Sequence, residues 1–225
     1  MPTDTPNTAK LVLIPALITL AVTLLRLVGE LNHWSESLFN RSAGGGGALI
    51  GISWLAFVFA VYFAVRLQNW GRGPARAGAA IGYTVLALAI LIAGIFVFFF
   101  GVQKAMRPLI WVGLVIMASS VWPVRRAWPD YWRVMLSYAF WARIPVIAVM
   151  FFAILGSWGT HYDVAPPSGD VWGANWLRKW FEIGLIPQLF IWIPFTVVMC
   201  GLLGVIVAAV RKGRIAVPLD VTSVG

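Results

Sequence analysis

Residues 77–101 read AGAAIGYTVLALAILIAGIFVFFFG, a long run without a single charge. Crossing about 30 Å of hydrocarbon takes about 20 helical residues, so this run reads as a membrane span and decides the fold class. Working outward, five further stretches have the same character: 11–29, 46–67, 109–124, 134–157 and 183–210. The expected fold is all-α, a polytopic membrane protein with a six-transmembrane-helix bundle over 11–210 and polar tails at 1–10 and 211–225. Pro187 and Pro194 are expected to kink the last span.

Composition agrees. Apolar residues make up 60% of the chain and charged residues 11%, against about 25% charged in a soluble domain. Mean hydropathy is +0.86, more apolar surface than a soluble fold of this size can hide. The excess of 17 Lys and Arg over 8 Asp and Glu does not form one basic patch, which speaks against nucleic acid. It flanks the apolar runs, as basic loops at a membrane face do. The single Cys200 excludes an internal disulfide, and no CxxC or Cys/His zinc spacing occurs. The apolar run after the N-terminus is expected to be a retained span, because no small-x-small cleavage site follows it.

The basic residues also predict orientation. With the N-terminus cytoplasmic, that side holds ten: Lys10, Arg66, Arg72, Arg76, Arg125, Arg126, Arg133, Arg211, Lys212 and Arg214. The other side holds five: Arg41, Lys104, Arg107, Arg178 and Lys179. Both tails are therefore expected in the cytoplasm, in a plasma or inner membrane. The outer connection 156–182 ends with Trp172, Trp176 and Trp180, spaced four apart. That spacing stacks three indoles on one helix face and predicts a separate interfacial amphipathic helix over 171–181, a place to hold lipid or a partner.

Two arginines fall at membrane depth, where an ionisable group is costly unless something compensates it. Arg143, in Trp141-Ala142-Arg143-Ile144-Pro145, lies about 14 Å along its span. Pro145 frees the Trp141 carbonyl as a local acceptor. The plain reading is a structural arginine satisfied by carbonyls; the functional one is a counter-charge for an anionic substrate, lipid headgroup or partner. Arg26 shares a helix face with Glu30, four residues on, and the two are expected to pair. That leaves Arg143 without a carboxylate at its depth.

Other candidates are weaker. His33, His161 and Asp163 share the outer side, but their spacing matches no HxxxH or HExxH element, so no metal is favoured. Neither histidine lies within a span, which speaks against haem. Nothing in the sequence names a cofactor. Glycines 44–47 can expose backbone N–H groups to an anion, but they lack the lysine and spacing of a P-loop. Small-residue series at Ala43, Gly47, Gly51, at Ala56, Ala60, Ala64 and at Gly78, Gly82 suit close helix packing. No GxSxG or SxxK arrangement is present, so an intramembrane enzyme ranks third.

The first functional expectation is a non-catalytic membrane subunit or scaffold, holding lipids, a membrane-protein partner or a second copy. The second is a small transporter or carrier of an anionic or amphipathic molecule that uses Arg143 and Arg26. Few titratable groups in the spans argue against proton coupling. An aqueous cavity reaching Arg143 within one protomer would favour the carrier.

Overall fold

The computed structural model describes residues 7–43, 48–165 and 172–215, with side chains as far as Arg211. Among them the structure is all-helical: α1 (Thr8–Leu31), α2 (Ser53–Asn69), α3 (Ala77–Gln103), α4 (Arg107–Ser119), α5 (Val121–Ala127), α6 (Pro129–Gly156), α7 (Trp176–Lys179) and α8 (Ile193–Ile215). Five helical stretches are long and apolar enough to cross a membrane: Thr8–Leu31, Ala77–Gln103, Arg107–Ala127, Pro129–Gly156 and Trp176–Arg211. Helix α2 has 17 residues, about 26 Å at the α-helical rise. Large apolar side chains such as Ile14, Phe96 and Val115 face outward, the surface of a membrane-embedded bundle.

Several boundaries differ from expectation. The second helix begins at Ser53, not at residue 46, so Gly51 lies in a bend before it. Glycines 44–47, and with them the anion-cradle reading, lie outside the described residues. The fourth span is two helices meeting at Ser120. Pro123 cannot donate to the Ser119 carbonyl, so the turn there opens. The fifth begins at Pro129, in the favoured first helical position.

The separate interfacial helix is the main correction. Trp172 lies outside any helix, and the helix that starts at Trp176 runs on into the last span without a break. The two prolines do not break it, because the backbone widens beside them. Residues Trp180–Leu185 and Gln188–Trp192 adopt wide π turns. The N–H of Ile186 reaches back to Phe181, and that of Ile193 to Gln188, five residues each. Such single wide turns accommodate irregularities inside a helix and recur at functional sites.

Packing is tightest where side chains are smallest. Helices α3 and α4 form an antiparallel hairpin held by Gly94 and Gly113. A Cβ at Gly94 would lie 2.7 Å from the Met117 nitrogen, and one at Gly113 2.5 Å from the Phe98 nitrogen. Ala56, Ala60 and Ala64 are buried as expected. Gly78 and Gly82 are not packed: a Cβ at either meets nothing within 4 Å.

Polar contacts tie the connections together at two ends. At one, the Trp128 indole donates to the Arg72 carbonyl at 2.6 Å, the Gln68 amide donates to Ala208, and Arg72 pairs with Asp130. The buried Tyr131 hydroxyl lies 2.8 Å from the Cys200 carbonyl and 3.2 Å from that of Ala60, joining α2, α6 and α8. At the other end, segments 32–43 and 157–165 fold over α1 and α6 and form the site.

Candidate functional site

Arg26 and Glu30 pair as expected. The Arg26 Nε donates to Glu30 Oε1 at 2.8 Å, and its Nη2 donates to the Asn40 carbonyl at 3.1 Å. Gly51 leaves room for this guanidinium, since a Cβ there would come within 3.1 Å of Nη1. The Glu30 side chain is fully buried, and Arg26 is not its only donor. The His161 backbone N–H donates to Oε2 at 2.9 Å, and His161 Nδ1 sits 2.5 Å from Oε1. One carboxylate thus fastens both a guanidinium and the outer loop.

That loop is built for the contact. Ser157 ends α6 in the left-handed conformation, and Gly159 follows with φ of 69°. Asp163 then gathers the turn: its Oδ2 accepts from Gly159 N–H at 2.9 Å, its Oδ1 from Thr160 N–H and Oγ1 at 2.7 Å each. The closed turn aims His161 at Glu30 and buries Tyr162 against Thr23 of α1. Burial lowers the His161 imidazole below its usual value, although the Glu30 hydrogen bond works the other way.

Arg143 sits inward of this loop, 6% exposed. Its partner is not a carbonyl freed by Pro145. Its Nη1 donates to Gln188 Oε1 at 3.3 Å, and its Cζ lies 4.9 Å from the centre of the Trp192 ring. Both partners come from the wide turn Gln188–Trp192 of the last helix, which presents the amide and indole together toward α6. Cation–π contact and one long hydrogen bond to a neutral amide offset only part of the cost of burying a guanidinium. Among the described residues no carboxylate pairs with it.

A cavity of about 270 Å³ joins these groups, lined by Arg26, Arg143, His161, Glu182, Gln188 and Trp192 together with apolar side chains of α1 and α6. Ser53 and Ile52, at the start of α2, also line it, and no side chain caps that helix N-terminus. Its free N–H groups carry partial positive charge. Inward of the cavity, Thr19 and Tyr138 meet at 2.9 Å, and Tyr138 packs edge-on against Phe59 and Phe63. All four side chains of this layer are buried.

No family model matches this chain. No curated protein and no solved structure is detectably similar to it.

The remaining candidates lie elsewhere. Trp180 donates to the Ile147 carbonyl at 3.1 Å, Trp176 packs edge-on against Phe151, and Trp172 donates to Glu182 at 2.7 Å. They brace the last helix against α6 and the outer turn instead of forming one open face. The metal candidates are not brought together: His33 bonds Arg41, His161 bonds Glu30, and Asp163 serves its own turn. Among the described residues no three His, Cys, Asp or Glu side chains cluster for a metal. Gln188 and Trp192 went unread in the sequence. Their one signal was a polar amide directly after a proline inside an apolar span.

Proposed function

We propose that this chain is a six-span membrane protein with cytoplasmic termini that takes a small anion-bearing, amphipathic molecule into its outer pocket, as a carrier does. The observation that carries this reading is the cavity itself, because it reaches a buried arginine that has no carboxylate partner among the described residues. The uncapped start of α2 adds a second source of positive potential on the same wall. The buried, packed layer at Tyr138, which does not line the cavity, favours a carrier open on one side over a continuous channel. With such a cavity inside one protomer, the carrier moves ahead of the scaffold.

The scaffold reading rests on a different face. The small residues Gly78 and Gly82 of α3 have nothing packed on them, a surface that suits close approach by another helix.

Gentle solubilisation followed by native mass spectrometry of the wild type and Arg143→Leu tests the carrier. A bound anionic molecule or lipid on the wild type that disappears in the folded variant supports it. Identical adducts on both proteins overturn it.

A further inference from the structure

We propose that the pocket selects a monoanion: one negative group at the leading end of an apolar body. This rests on the anion-binding reading above and adds a rule about charge. Six ionisable side chains matter on or beside the wall. Arg26 is already neutralised by Glu30, which His161 also bonds. Glu182 at the wall pairs with Arg178 and accepts from Trp172. Arg143 remains, with five N–H donors of which one is spent on the neutral Gln188. A carboxylate or phosphodiester oxygen pair matches the free edge of a guanidinium, and one such group balances one such charge.

A second negative charge finds no further unpaired side-chain cation among the described lining residues, only the partial positive charge at the start of α2. Further out it would meet the carboxylate of Glu182, the acidic side chain that lines the space. The rest of the lining fits hydrocarbon: Val22, Val146, Met150 and Ile183 face the space beside the Trp192 ring. Its volume of about 270 Å³ sits just below the range of about 300–1,000 Å³ usual for ligand pockets. The occupant is therefore compact, either a free amphiphilic acid or the headgroup end of a monoanionic lipid.

The test uses the full chain in a neutral detergent with three matched probes, followed by calorimetry. These are octanoate (one charge), octanamide (none) and octyl phosphate at pH 8, where the phosphate carries close to two charges. The expected result is octanoate binding at least about tenfold tighter than octanamide, which is about 1.4 kcal/mol, with octyl phosphate no tighter than octanoate. Arg143→Gln should erase the octanoate preference while octanamide binding persists, which shows the pocket intact. Arg143→Lys should restore part of it. If octyl phosphate binds tighter than octanoate, the charge rule fails and anion binding stands. If octanoate and octanamide bind alike to folded protein, anion binding itself fails. Native mass spectrometry separates the sources. A retained phosphatidylglycerol lost in Arg143→Gln marks a lipid headgroup, a retained fatty carboxylate a free acid, and a retained dianionic lipid overturns the proposal.

Discussion

Changing Glu30 to Gln probes the link between the buried arginine and the outer loop. The carboxylate is fully buried beside an Arg26 side chain 11% exposed, and it accepts three hydrogen bonds on two oxygens. A glutamine has one accepting oxygen and turns an NH2 toward donors on the other side, so at least one donor is left facing another. Breaking one partner of a buried pair costs about 3–5 kcal/mol. The glutamine oxygen keeps part of the bonding, so we expect a loss of about 3 kcal/mol. Arg26→Gln together with Glu30→Gln removes the uncompensated charge, and the cycle should return a coupling of about 1–3 kcal/mol. Unfolding in mixed micelles with increasing dodecyl sulfate, followed by circular dichroism, measures all four corners. A Glu30→Gln loss below about 1 kcal/mol, or strictly additive losses, would refute the idea that this carboxylate holds the site together.

Gly113→Ala should destabilise by about 1–3 kcal/mol through overpacking, since its Cβ meets backbone of α3. Gly78→Ala, in open space, should be neutral or stabilise by up to about 1 kcal/mol through helix propensity; equal losses in the same unfolding assay would contradict the packing. Because the His161 imidazole is lowered by burial, the folded state binds fewer protons than the unfolded one, so stability present above the ordinary imidazole value of about 6.5 is lost as pH falls from there through the lowered value of the folded state. The melting temperature should fall between about pH 7.5 and 5.5, and His161→Asn should flatten that fall; an unchanged slope in the variant would place the titration elsewhere. Ser37→Cys and Arg76→Cys should label with an impermeant thiol reagent from opposite sides, Cys200 being buried; labelling from one side would undo the proposed topology.

The sequence by itself determined the helical, membrane-embedded class, because a bilayer demands of each segment a local property, about 20 apolar residues with every backbone group bonded internally. It determined the Arg26–Glu30 contact for the same reason, since four residues along a helix bring two side chains to one face whatever surrounds them. Where local rules met tertiary context they gave way. The indole spacing of Trp172, Trp176 and Trp180 predicted a separate helix, but the turn before Trp176 and the wide turns beside Pro187 absorbed that segment into the last span. Tertiary structure alone decided the partners of the site. Gln188 meets Arg143 across 45 residues, and His161 meets Glu30 across 131. No periodicity couples residues so far apart. Only the packing of α1, α6 and the last helix decides which polar groups share one cavity, and only there does a buried guanidinium come to line it.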